Sequence, residues 1–157
     1  MQSEGTIRII RVEKDDKDFQ KLVSNLNEDL DSRYGTEYQS KMNEFNSTSI
    51  LDAVVLAYRD NIAVGCGGFK ILDERTVELK RIYVSPEFRG KGIAGKIVSY
   101  LEEQTAKEKF TIVVLETGSK QTEAINLYLK QGYSQIPNFG QYKGNANSIC
   151  MSKELSL

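Results

Sequence analysis

The alternation of apolar and polar positions changes period several times along this chain, and each change marks an element. Ile7 to Val12 reads as a strand. Asp15 to Leu30 puts Phe19, Leu22, Val23, Leu26 and Leu30 at helical spacing behind acidic residues suited to a helix start. Arg33 to Phe45 is polar with scattered aromatics and reads as a second, weaker helix or a mobile loop. From Ser49 the period becomes that of strands. Leu51 to Tyr58 is apolar and β-branched, Arg59-Asp60-Asn61 is a turn signal, and Ile62 to Leu72 follows with Gly65, Gly67 and Gly68 inside it. Asp73-Glu74-Arg75 turns the chain again into Thr76 to Val84. Three strands joined by short loops predict an antiparallel meander.

Pro86 stops the third of these strands. Gly92 to Lys109 then has Ile93, Ile97 and Leu101 on one helical face. Phe110 to Leu115 is a short apolar run, as in a strand covered on both faces. Thr122 to Gln131 is helical, and Gly132 suits the position just past its end. Tyr133 to Ile136 and Ser148 to Lys153 are the last strands, on either side of a polar loop, Pro137 to Asn147. The pattern predicts one α/β domain over residues 1–157, with a mixed sheet that is antiparallel early and has a parallel crossover through the Gly92 helix. The Thr76 to Val84 strand also changes phase. Val77 and Leu79 are in step, but Ile82 and Val84 have the other parity, and such a slip marks a β-bulge near Lys80-Arg81.

Composition narrows the function classes. The chain has 21 basic and 22 acidic residues, so it lacks the basic excess of a general nucleic-acid binder. No apolar run approaches the ~20 residues needed to span a bilayer. Met1 to Arg11 is too polar for a signal peptide, and a cytoplasmic protein is expected. The two cysteines, Cys66 and Cys150, read as reduced, buried thiols. There is no histidine. That removes the commonest general base, Ser-His and Cys-His pairs, and most zinc sites, so any catalysis must use carboxylates, tyrosine, lysine, backbone amides or water.

One segment carries recognisable chemistry. Arg89-Gly90-Lys91-Gly92-Ile93-Ala94-Gly95-Lys96 follows a strand and opens a helix. Glycines let backbone approach an anion, and the first free amides of the helix, aided by its dipole, point at it. The segment satisfies three phosphate motifs to different degrees. Gly90-x-Gly92-x-x-Gly95 fits a dinucleotide fingerprint, but the strand before it carries Glu78, Lys80 and Arg81 where that fold needs a buried apolar strand. Gly90 to Lys96 nearly fits a P-loop, but Ile97 replaces the hydroxyl that would hold magnesium. The third match is Arg89-x-x-Gly92-x-Ala94 after Ser85-Pro86. It resembles the acetyl-CoA signature of the GNAT superfamily of N-acetyltransferases. The resemblance extends over Val54 to Tyr133. Glu78 to Pro86 is similar to that family's fourth strand, Val113 to Thr117 to its fifth, and Asn126 to Tyr133 to its helix and Gly-Tyr ending.

The resemblance implies a twisted, mostly antiparallel sheet of six to seven strands with about four helices. It implies direct transfer of acetyl from acetyl-CoA to a primary amine of a small molecule or amino acid, with neither metal nor covalent intermediate. A protein or peptide N-terminus as acceptor, and a non-catalytic CoA-binding module, are the alternatives. Amides and side chains of Arg89, Gly90, Lys91, Gly92, Ile93, Ala94 and Gly95 would hold the pyrophosphate. Backbone at Ile82, Tyr83 and Val84, freed by the bulge, would bind the pantetheine arm, with Asn126 beside it. Glu78 is the first candidate base and Glu116 the second, and Tyr128 is the acid for the departing thiolate, a phenol being protonated at neutral pH. Tyr34, Tyr38, Phe45, Phe139 and Tyr142 sit in predicted loops near the acceptor side, where ordinary packing or exposure is the plainer reading of each. No nucleic acid or membrane partner is expected. The oligomeric state stays open, a homodimer being one option because dimers are frequent among such enzymes.

Overall fold

The computed structural model describes residues 6–38 and 47–156. Its strands are β1 (Ile7–Val12), β2 (Ala53–Arg59), β3 (Ile62–Ile71), β4 (Thr76–Val84), β5 (Ile112–Gly118), β6 (Ser134–Ile136) and β7 (Ser148–Glu154). The long helices are α1 (Lys17–Tyr34), α2 (Ile93–Lys107) and α3 (Thr122–Lys130). Helix α1 runs past the expected end at Leu30, residues 36–38 are again helical, and the rest of the segment expected as a weak helix or loop, with Phe45, lies outside the described residues. The seven strands form one sheet in the order β1-β2-β3-β4-β5-β7-β6. Every pairing is antiparallel except β4 with β5, which are parallel and joined through α2. This is the mixed sheet and the crossover that the sequence pattern predicts.

The helices cover both faces. The Asp16 carboxylate accepts the Asp18 and Phe19 N–H groups at 2.9 and 3.1 Å and so starts α1. Phe19, Leu22, Val23 and Leu26 then pack on Val54, Leu56 and Cys66. On the opposite face Ile93, Ile97, Val98 and Leu101 of α2 pack on Val55, Val64, Val77 and Leu79. Each such side chain contributes roughly 1.5–3 kcal/mol by leaving water. Helix α2 lies close to the sheet because Gly67 has no side chain; a Cβ there would stand 2.6 Å from Ile82 Cδ1 and 3.0 Å from Ile97 Cγ2.

The expected bulge is present. Cys66 pairs with Tyr83 and Gly68 with Lys80, so Gly67 alone faces both Arg81 and Ile82. Arg81 adopts φ 60°, a left-handed conformation that costs a non-glycine residue roughly 1–3 kcal/mol. The Cys66 thiol helps hold it by donating to the Arg81 carbonyl at 3.3 Å. Burial pushes that thiol up to about 12, so it stays protonated and able to donate at neutral pH. The bulge returns Ile82 and Val84 to the α2 face beside Val77 and Leu79, and turns Tyr83 toward the α1 face, which Glu78 and Lys80 already share by strand alternation. The phase slip in the sequence has this physical cause.

Candidate active site

Strands β4 and β5 pair only from Thr76–Ile112 to Leu79–Leu115. Beyond Leu79 and Leu115 they diverge, and two cavities open at the gap. One is lined by Ile82, Tyr83, Val84, Arg89 and the start of α2. The other is lined by Glu78, Lys80, Glu116, Tyr142 and residues of α1. Ile82, Gln121, Ala124 and Tyr128 line both, so the cavities meet at these residues.

The first cavity has an anion site at its mouth. Gly92 caps α2 with φ 80°, a left-handed conformation that glycine adopts freely, and it has no side chain to accept from the first turn. The leading N–H groups, of Ile93, Ala94 and Gly95, therefore have no intrahelical partner, and the helix dipole adds its positive end. Ile93, Ala94 and Gly95 line the cavity, as do Gly90 and Gly92, while Lys91 is exposed beside them. Arg89 commits one donor by bonding the Val84 carbonyl through Nε at 2.8 Å, which fixes the guanidinium at the mouth, 5.5 Å from the Tyr83 ring.

The second cavity has a charged floor. Parallel register places Glu78 beside Val114, and Glu116 follows on the same face of β5. Glu78 is only 2% exposed. Its Oε2 accepts from the Tyr142 hydroxyl at 2.7 Å and from Lys80 Nζ at 3.3 Å, and Lys80 also donates to the Tyr142 oxygen at 2.9 Å. Burial holds the Lys80 ammonium below the usual lysine range, against the opposing pull of Glu78. Glu116 is placed differently. It is half-buried and accepts from Ser148 Oγ at 2.5 Å, with no cation at ion-pair distance among the described residues. Burial raises its carboxyl above the usual carboxylate range, partly offset by the Ser148 hydrogen bond and by Lys80. Thus one carboxylate of the pair is matched by a buried cation, and the other is held above the usual carboxylate range by burial.

Tyr128 stands where the cavities meet. It is 6% exposed, and its ring meets Tyr133 edge-on with centroids 5.8 Å apart. Its hydroxyl makes no hydrogen bond among the described residues. Burial, and then the charge of Glu116, push the phenol well above its ordinary value, so it holds its proton. Asn126, two residues before it, is exposed and lines neither cavity.

The far wall of the second cavity comes from the C-terminal end of α1. Tyr34 and Tyr38 stack with centroids 5.3 Å apart. The Tyr34 hydroxyl reaches across to β5 and accepts the Lys120 N–H at 3.2 Å, passing directly over Gly118. A Cβ on Gly118 would lie 1.6 Å from that hydroxyl oxygen. Gly118→Ala is therefore expected to push Tyr34 off the wall and to lower stability by roughly 1–3 kcal/mol, measured by chemical denaturation.

The structure thus brings Glu78, Glu116 and Tyr128 together at one gap, beside the Arg89 to Gly95 turn. Of the loop aromatics, Tyr34, Tyr38 and Tyr142 line the second cavity, and Phe139 packs edge-on against Tyr142 at 5.4 Å. Lys80 and Ser148 were not singled out by sequence. A charge two residues from Glu78, on a strand whose other parity is apolar, was the available sign for Lys80; Ser148 has none. Cys150 is fully buried beside Tyr142, and both cysteines are free thiols. Among the described residues no group of acidic or sulfur side chains is arranged to hold a metal, and no helix is long and apolar enough to cross a membrane.

The chain is similar to known proteins in sequence and in fold. The model of the acetyltransferase (GNAT) family matches residues 19–133. An IAA acetyltransferase of Azospirillum brasilense is 32% identical over 142 residues, covering 87% of this chain and 93% of that one. The fold is that of an acetyltransferase from Streptococcus agalactiae (TM-score 0.76, 20% identity, 95% of this chain and 98% of that one). It is likewise that of the PaiA N-acetyltransferase from Thermoplasma acidophilum, solved with coenzyme A (TM-score 0.74, 20% identity, 96% and 99%). This chain belongs to the acetyltransferase (GNAT) family, whose members are acetyl-CoA-dependent N-acetyltransferases.

Proposed function

We propose that this chain, acting as one acyltransferase domain, moves acetyl from acetyl-CoA directly to the primary amine of a small molecule. The observation that carries this reading is the meeting of two unlike cavities at Tyr128: one ends in a helix N-terminus with no side-chain cap, the other in a carboxylate with no ion-pair partner among the described residues. The amides of Ile93, Ala94 and Gly95, shaped by Gly90 and Gly92, would hold the pyrophosphate, with Arg89 at the mouth and Lys91 adding charge. Backbone of Ile82, Tyr83 and Val84, where β4 has left β5, would bind the pantetheine arm. Asn126 is exposed and takes no part in this assignment.

On the acceptor side, Glu116 suits the base better than Glu78. The Glu78 Oε2 is already filled by Tyr142 and Lys80. Glu116 has a raised carboxyl, lines the cavity, and has no ion-pair partner among the described residues. The amine nitrogen bonds to the acetyl carbon as the C–S bond breaks. One ammonium proton passes to Glu116, the sulfur leaves with the proton of Tyr128, and the second proton that the nitrogen gives up as the amide forms restores the phenol. Glu78, Lys80 and Tyr142 fix the polar floor. Buried reduced thiols at Cys66 and Cys150 suit a cytoplasmic setting.

Acetyl-CoA at a hundredfold excess over its Kd should stabilise the protein by about 2.7 kcal/mol, a rise in Tm of roughly 5–10 °C. Gly92→Val puts a β-branched residue at a positive φ and a methyl group into the anion site. It should weaken acetyl-CoA binding at least about tenfold, measured by calorimetric titration. A wild-type Tm indifferent to acetyl-CoA would overturn the proposal.

A further inference from the structure

We infer that the acceptor is an α-amino acid, held by its amine at Glu116 and by its carboxylate over Gly118, where the Tyr34 hydroxyl and the Gln121 amide receive it. This deepens the acetyltransferase reading and rests on it.

The cavity that holds Glu116 is rich in donors the fold itself leaves unused. The Tyr34 hydroxyl accepts the Lys120 N–H at 3.2 Å, and the Tyr38 hydroxyl accepts from Asn145 Nδ2 at 2.9 Å, so each keeps its own proton among the described residues. Burial holds the Tyr34 phenol above its ordinary value, so it stays a donor. Gln121 Oε1 accepts the Gly118 N–H at 2.9 Å and the Thr117 hydroxyl at 3.4 Å. Those bonds anchor the carboxamide by its oxygen and leave the Nε2 protons without a partner among the described residues. Lys80 donates to Glu78 and Tyr142 and has a third N–H. All four side chains line this cavity.

Two of these donors converge on one spot. A Cβ on Gly118 would lie against both the Tyr34 hydroxyl and Gln121 Oε1, so the absent side chain is what lets the two groups meet over β5. Glu116 and Gly118 share a face of β5 and are two residues apart, about 7 Å along the strand. In an α-amino acid the nitrogen and the carboxylate oxygens are about 3 Å apart. A hydrogen bond of about 3 Å at each end lets such a molecule bridge that distance, ammonium on Glu116 and carboxylate at the donors. The charges agree with a zwitterion. Glu78 is matched by Lys80 at 3.3 Å, and Glu116 has no ion-pair partner among the described residues. The incoming ammonium offsets Glu116, so the carboxylate that arrives with it meets donors and the nearby Lys80 rather than an unbalanced anion. An alkylamine would use Glu116 alone. An amino-acid amide would reach the same donors with a neutral oxygen, and hydrogen bonds to a carboxylate are roughly twice as strong.

The test compares kcat/KM at saturating acetyl-CoA, read by thiol release, for alanine, leucine and phenylalanine, each beside its amide and its decarboxylated amine. In the best set the acid should exceed the amine by about a hundredfold, the effect of charge-assisted hydrogen bonds to one carboxylate, with the amide between them. Gln121→Glu keeps an oxygen for the Gly118 N–H but replaces the donor by an anion, so the acid-to-amine ratio should fall at least about a hundredfold. Tyr34→Phe removes one donor and should lower that ratio about tenfold. The ratio is taken within each variant, so the differing basicities of the amines and any general loss of structure cancel. An amine or amide that outperforms its acid in every set would overturn the acceptor class while leaving acetyl transfer intact. An acid-to-amine ratio unchanged in both variants would overturn it as well. If no member of the panel releases thiol although acetyl-CoA raises Tm, the underlying transferase reading fails with it.

Discussion

Tyr128→Phe is expected to lower kcat by about 10²–10⁴-fold, with Tm and the affinity for acetyl-CoA unchanged. The size follows from the role. A thiolate leaving beside Ile82 and Ala124 needs a proton, Tyr128 lines the same junction, and positioned general acids contribute in this range. The selectivity follows from the geometry. The ring packs on Tyr133 and is 6% exposed, so phenylalanine keeps its packing. The lost hydroxyl breaks no hydrogen bond among the described residues, so the fold has little to lose. Initial rates of thiol release at saturating acetyl-CoA and amine measure the effect. The raised phenol adds a pH signature. Wild-type activity should persist as pH rises through about 10, where an ordinary tyrosine loses its proton. A kcat within twofold of wild type would remove Tyr128 from the chemistry.

Glu116→Gln should cost about 10²–10⁴-fold in kcat/KM for the amine, and should abolish the acidic limb of the pH profile. Burial raises the Glu116 carboxyl. Activity needs the ionised form, so it should fall as pH drops through a value above the ordinary carboxylate range, and glutamine removes that dependence. The comparison with Glu78→Gln separates the two carboxylates. Glu78 balances Lys80 inside the protein, at 2% and 6% exposure. Removing its charge leaves a buried ammonium without its partner, a loss of about 3–5 kcal/mol. The acidic limb should nevertheless survive in whatever folds. Loss of that limb in Glu78→Gln, and its survival in Glu116→Gln, would assign the base to Glu78.

The fold was largely legible in the sequence because its elements depend on local period. Strand alternation, the helical face of Ile93, Ile97 and Leu101, and the Gly92 turn all fall within windows of a few residues. Even the bulge was legible, since a one-residue slip moves Ile82 and Val84 to the other parity, and the register of Cys66 and Gly68 against β4 shows that slip. The polar floor was not legible in the same way. Tyr142 reaches Glu78 and Lys80 across more than sixty positions, from a short turn, Gly140–Tyr142, that carries no periodicity. Packing was the plainer reading of Tyr142, and its ring does pack on Phe139, but its hydroxyl completes the charged cluster. The division of labour between Glu78 and Glu116 depends on which carboxylate finds a cation, and that is decided only when β4, β5 and the Tyr142 turn come together. Gly118 is similar: its need to be glycine comes from Tyr34, on a different element.

The central claim is direct acetyl transfer at the junction of the two cavities. The most direct measurement mixes the protein with acetyl-CoA and a panel of small primary amines and follows small-molecule products and the intact protein together by mass spectrometry. The account predicts one acetylated amine for each CoA thiol released, with the protein mass unchanged throughout. Thiol released without acetylated amine, or an acetyl group carried on the protein during turnover, would contradict it.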